Sequence, residues 1–169
     1  SEGKKDIIAL LLELGASVKV RTNNGDTPLH VAVANRYYGQ NKIEIVELLV
    51  TTGKASINAA NDNGDTPLHA TVRNGDSSYC SSYIRILLAH GASVNAQNHL
   101  GKTPLHIAAE NNCDYATVIN PLLKAGADLF LQDNDGNSAL EYMTQENIMK
   151  VRFFHQELFR PMFQFLDNK

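Results

Sequence analysis

Cysteine is scarce in this sequence, a long apolar run is missing, and neither sign of charge dominates. The two cysteines, Cys80 and Cys113, are too few for a secreted disulfide scaffold. They are expected to be reduced thiols of an intracellular, cytoplasmic chain. The longest apolar run, Ile7 to Leu12, is six residues, far short of the ~20 that span a bilayer. The opening residues do not read as a signal peptide. Lys and Arg number 15 against 18 Asp and Glu, a net charge of −3. That is not the basic excess of a nucleic-acid footprint, so neither nucleic acid nor membrane is the expected partner. A Gly-rich phosphate loop, a serine nucleophile elbow and a paired-carboxylate constellation are also absent. No Cys or His pair has zinc-site spacing, and Asp133 with Asp135 reads as a turn rather than a calcium loop. No catalysis, metal or cofactor is therefore expected. At 43% hydrophobic residues the chain can still bury a core, and its length suits one domain.

What is present is repetition. Thr27-Pro28-Leu29-His30 recurs as Thr66-Pro67-Leu68-His69 and Thr103-Pro104-Leu105-His106, with a worn copy at Ser138-Ala139-Leu140-Glu141. The offsets are 39, 37 and 35 residues. In phase runs a second string, Leu11-Leu12-Glu13-Leu14-Gly15-Ala16-Ser17-Val18. It returns as Leu48-Leu49-Val50-Thr51-Thr52-Gly53, as Leu87-Leu88-Ala89-His90-Gly91-Ala92-Ser93-Val94-Asn95, and as Leu122-Leu123-Lys124-Ala125-Gly126-Ala127-Asp128-Leu129. Self-similarity at this period marks a stacked array. Each Thr-Pro pair is an N-cap followed by a residue whose missing N–H costs nothing, so it should open a short first helix. A second helix carries the larger apolar face, such as Tyr83, Ile84, Ile86, Leu87 and Leu88, at helical spacing. Gly15, Gly53, Gly91 and Gly126 are expected as left-handed C-terminal caps. Asn24-Gly25, Asn63-Gly64, Leu100-Gly101 and Asp135-Gly136 are expected at hairpin tips. His30, His69 and His106 recur with the scaffold and should tie adjacent turns by hydrogen bonds.

These strings resemble the ankyrin repeat family over about residues 5 to 145. The resemblance implies an all-α ankyrin-repeat solenoid of helix-turn-helix units with projecting β-hairpin loops. The units would be a partial one at 1–21, full ones at 22–60, 61–97 and 98–132, and a degenerate one at 133–155, with 156–169 a capping or interface segment. It also implies a non-catalytic protein-binding module that uses hairpin tips and the concave face of the first helices. Three departures stand out. Inserts near 37–41, 76–79 and 113–114 lengthen the units, with one extra residue near Lys54. Pro121 falls inside a second helix, which should start late or bend there. The chain opens on a second helix, Asp6 to Leu14, which reads as a cut through a longer array or a cap that has lost its first helix.

The candidate partner-binding residues are Asn24, Asp26, Asp62, Asp65, Arg73, His99, Leu100, Lys102, Glu110 and Asn111. Leu100 is the odd one, because Asn or Asp makes such a tip more easily. It either tucks against the adjacent finger or offers an apolar contact. A second candidate surface is the edge lined by Tyr37, Tyr38, Tyr79, Tyr83 and Tyr115, since Tyr is enriched at interfaces; the alternative is that these rings pack on their own helices. Leu87 to Asn95 resembles the spacing that asparaginyl hydroxylases use in this family, with Asn95 as acceptor, against a plain structural Asn.

Past Tyr142 the chain is rich in Phe, and Pro161 should split it into two helices. This end either caps the last unit or meets a further domain, and the chain is expected to be monomeric unless the Phe-rich segment is exposed. The competing function is the targeting region of a larger enzyme or effector whose catalytic domain lies outside this chain. A pathogen effector in host cytoplasm also fits the frequent Asn and uneven repeats.

Overall fold

A computed structural model describes residues 3–34, 42–73 and 79–155. Each Thr-Pro helix starts on a cap shared between its Thr and the His three residues on. In the third, Thr103 Oγ1 accepts the His106 amide at 3.4 Å, and His106 Nδ1 accepts the Thr103 amide at 3.2 Å. Two of the orphan donors of a helix start are thereby satisfied. The helices that open this way are α2 (Pro28–Ala34), α4 (Pro67–Arg73) and α6 (Pro104–Glu110). The worn copy keeps the device with a different residue. Ser138 opens α8 (Ala139–Tyr142), and Glu141 Oε2 accepts the Ser138 amide at 2.7 Å.

The second helices are α1 (Gly3–Glu13), α3 (Lys42–Thr51), α5 (Cys80–Ala89) and α7 (Asn120–Lys124), which a π turn over Tyr115–Ile119 precedes; α9 (Gln145–Phe154) follows α8. First helices α2, α4, α6 and α8 pack in one row, and α1, α3, α5 and α7 in a second behind it. The described chain is thus an all-α repeat solenoid. Its core runs between the rows, through fully buried Leu29, Leu68 and Leu105 on one side and Ile84, Leu87 and Leu122 on the other. Each such side chain is worth about 2 kcal/mol over an exposed one. No unit covers its own apolar face, so stability accrues between neighbours. No described helix is long and apolar enough to cross a membrane.

Two elements differ from the sequence expectation. The helix containing Pro121 does not start late. It opens at Tyr115 on a cap from Asp114, whose Oδ1 accepts the Thr117 amide at 2.9 Å. The turn before Pro121 then widens: the Asn120 amide reaches back to Tyr115 and the Ile119 amide to Asp114 at 3.4 Å. A π turn skips the narrow i−4 contact with which a proline ring collides.

Gly53 is not a left-handed cap. Lys54 takes that conformation, at φ +50°, whereas Gly15, Gly91 and Gly126 have φ of +85° to +88°. The extra residue near Lys54 is the cause. The closing bond in this unit spans six residues, from the Ala55 amide to Leu49 O, where the others span five. Gly53 is needed instead for close approach, since a Cβ there would sit 2.8 Å from Leu49 O and 2.9 Å from Val18 Cγ1. Lys54→Gly should therefore stabilise the chain by roughly 1 kcal/mol, read as a higher urea midpoint at unchanged slope.

Candidate protein-binding surface

The hairpin tips are built by short polar side chains. Asn61 Oδ1 accepts the amides of Asn63 and Asp65, both at 3.0 Å. Asn98 Oδ1 does the same for Leu100 and Lys102, and Asp133 Oδ1 for Asp135 and Asn137. Thr22 Oγ1 serves Asn24 and Asp26 in the first tip. These turns project as hairpins without forming strands among the described residues, where the one isolated bridge is Gln132 with Ser138.

The tips are then joined to one another. The amide of Asp62 donates to Asn24 O at 3.1 Å, that of His99 to Asn63 O at 3.0 Å, and that of Asn134 to Leu100 O at 3.1 Å. At the finger bases Arg21 Nη1 bridges Gly25 O and Ala60 O, and Gln97 Nε2 bridges Gly101 O and Gln132 O. The result is a backbone ladder running across all four fingers.

On this frame Asn24, Asp62, Arg73, His99, Leu100, Glu110 and Asn111 are exposed, and Asp26 and Lys102 are half-buried. Leu100 is 62% exposed and so is not tucked against the neighbouring finger. Asp65 does not face outward. It is 3% exposed, with Oδ1 accepting Asn98 Nδ2 and Oδ2 accepting Arg73 Nη2, each at 2.7 Å. Burial of a carboxylate demands such partners; Asp65 belongs to the scaffold.

The same register in the next unit carries the opposite polarity. Lys102 Nζ donates to both oxygens of Glu110 at 2.9 Å and lies 4.8 Å above the Tyr142 ring. The Glu110 carboxylate holds the Lys102 ammonium above the usual lysine pKa, against the opposing effect of partial burial. Tyr142 in turn donates its hydroxyl to Asp133 at 2.7 Å.

The tyrosine edge contracts. Tyr37 and Tyr38 lie outside the described residues. Tyr79 is half-buried and stacks on Tyr83 with centroids 6.2 Å apart. Tyr83 and Tyr115 are core residues, 2% and 6% exposed, so they cannot offer a ring to a partner. Among the described residues their hydroxyls have no hydrogen-bond partner, and burial pushes Tyr83 up to about 12. The side chain at Asn95 bridges units, donating to Gly126 O at 3.0 Å and accepting the Asp128 amide at 2.8 Å. Asn58 makes the same bridge to Gly91 and Ser93.

The thiols have no nucleophilic setting. Cys80 and Cys113 are buried, with Sγ donating to Thr71 O at 3.7 Å and Val72 O at 3.6 Å. Burial lifts the Cys80 thiol to about 12. Among the described residues no group of three His, Cys, Asp or Glu could hold a metal.

Sequence reasoning singled out the outward residues and missed the ones that make them rigid. Asn58, Arg21 and Gln97 all reach the following unit. The one available signal was position, since Asn58 and Asn95 occupy the same register, and so do Arg21 and Gln97.

A family model described as ankyrin repeats (3 copies) matches residues 37–133, and another, ankyrin repeats (many copies), matches residues 1–50. No curated protein matches the chain. Ankyrin repeats are generally protein–protein interaction modules. The matched span, the capped helix pairs and the stacked fingers agree, and this chain belongs to the ankyrin repeat family.

Proposed function

We propose that the chain binds a protein partner across the finger tips and the outer side of α2, α4 and α6, and acts by holding that partner rather than by catalysis. The observation that carries this reading is a contrast within one finger. The backbone of the third tip is bonded on both sides, through the His99 amide and Leu100 O, while the Leu100 side chain stays 62% exposed. A contact surface ordered in advance loses little entropy when a partner arrives. An apolar residue presented on such a frame, flanked by His99 and the Lys102–Glu110 pair, has the makings of a binding anchor with a polar rim. Asn24, Asp62 and Arg73 extend the surface over the first two units. The experiment is to capture partners on the wild-type chain, identify them by mass spectrometry, and titrate them against Leu100→Asp. Stability should change by no more than about 0.5 kcal/mol, as at other free surface positions. Affinity should fall by roughly tenfold or more. Equal affinity for both proteins would remove the third finger from the interface.

A further inference from the structure

The second and third units carry the same ion pair with its ends exchanged. In the second the acid lies inside and the base outside: the Asp65 side chain is 4% exposed and that of Arg73 52%. In the third, Lys102 is the inner group, 13% exposed, and Glu110 the outer one, 46% exposed. The positions correspond. Asp65 and Lys102 each precede the Thr that caps a first helix, and Arg73 and Glu110 are the last residues of α4 and α6.

Each outer group is held by an inner one that is itself anchored. Asp65 also accepts Asn98 Nδ2 at 2.7 Å, and Lys102 Nζ lies 4.8 Å above the Tyr142 ring. An exposed ion pair is normally weak because two long side chains must be ordered to make it. Here folding has ordered both, so the outward charges meet a partner in fixed places. Neither charge is used up. An Arg fork has five N–H donors, of which Asp65 takes one among the described residues, and the Glu110 oxygens keep lone pairs beyond those that face Lys102. Because α4 and α6 pack side by side, the two charges stand about 8–10 Å apart.

Resting on the partner-binding reading above, we infer that the partner is an extended polypeptide segment that presents one carboxylate to Arg73 and, about three residues along, one Lys or Arg to Glu110. Three residues of polyproline II advance about 9 Å and return to the same face of the segment, which matches the step between units. The Arg73 fork suits a carboxylate, which such a fork grips through two parallel bonds. A segment with two acids or two bases at this spacing meets one like charge and is rejected.

Selection from a displayed library of short random peptides on the full chain tests this. In the pool enriched on the wild type, an acid and a base at that spacing should be about fivefold more frequent than in the unselected library. Glu110→Gln should remove the base from the pool and leave the acid. Asp65→Asn with Arg73→Gln should do the reverse, and it strands no buried charge. Should that double variant unfold, the exposed Glu110→Gln still decides. A wild-type pool without the spacing, or one that these variants enrich unchanged, would overturn the inference. The partner-binding reading fails separately. Peptides that lose binding to Leu100→Asp yet carry no paired charges sink the charge pairing alone, whereas peptides indifferent to Leu100→Asp and to the charge variants remove the finger surface as well.

Discussion

Replacing His69 with alanine should lower the unfolding free energy by about 3 kcal/mol. The ring is fully buried. Nδ1 accepts the Thr66 amide at 3.1 Å, which leaves Nε2 to donate its proton to Lys102 O at 3.0 Å. One side of the ring completes the cap of α4 and the other grips the finger of the following unit. Alanine strands an amide and a carbonyl inside the protein, each costing about 1–3 kcal/mol if unpaired, and leaves a hole where the ring was. His30 and His106 make the same bridges, to Asp65 O at 2.9 Å and Asn137 O at 3.1 Å. His69 is the middle of three, so its loss should also loosen the coupling between halves of the stack. Urea unfolding should show a lower midpoint and a broader transition. A loss below about 1 kcal/mol would mean that the bridge is replaceable.

The same ring sets an acid limit. Burial lowers the His69 pKa below 6.5, and bonds from the Lys102 carbonyl and the nearby Asp65 charge offset this only in part. The unfolded chain therefore takes up the proton first as pH falls. Stability is full above the unfolded value of about 6.5 and declines below it, by up to about 1.4 kcal/mol per pH unit, until the folded ring also titrates. Urea midpoints between pH 7 and pH 5 should fall accordingly, and His69→Gln should flatten that part of the curve.

How much of this was legible in the sequence depends on how far each interaction reaches. The Thr-Pro caps and the glycine tips are set within a few residues, and the histidine ties recur with the same string although they reach the next unit; all stand where the strings placed them. Asp26 and Asp65 show where legibility stops. Both sit in the same string, Gly-Asp-Thr-Pro-Leu-His, yet Asp26 is half-exposed and Asp65 is 3% exposed. Each accepts an Asn from the following finger, Asn61 and Asn98 respectively. The difference lies seven residues past the Thr, where Arg73 closes over Asp65 and Ala34 leaves Asp26 open. Tyr83 and Tyr115 fail for a related reason. Helical spacing says that a ring lies on a face, and only the neighbouring unit decides whether that face is covered. Pro121 adds a case of its own, since a sound local rule called for a late start or a bend and the chain answered with a wider turn.

Gly64→Ala should cost about 3 kcal/mol and weaken partner binding as well. Gly64 has φ +76°, which alone penalises alanine by about 1–2 kcal/mol. The remainder comes from the ladder. A Cβ at Gly64 would sit 2.7 Å from the His99 amide nitrogen, and that amide donates to Asn63 O. Backbone cannot swing aside as a flexible side chain can, so the third finger must move, and His99 and Leu100 move with it. Gly136→Ala supplies the control, because Gly136 has φ +83° but nothing within 4 Å of where its Cβ would be. It should show the conformational penalty alone. The gap between the two variants in urea unfolding therefore measures what contact between neighbouring fingers contributes to the stack. The gap in partner affinity measures how far recognition depends on the third tip keeping its place. If both variants lose the same stability and bind alike, the fingers stand independently, and the ladder orders nothing that a partner reads.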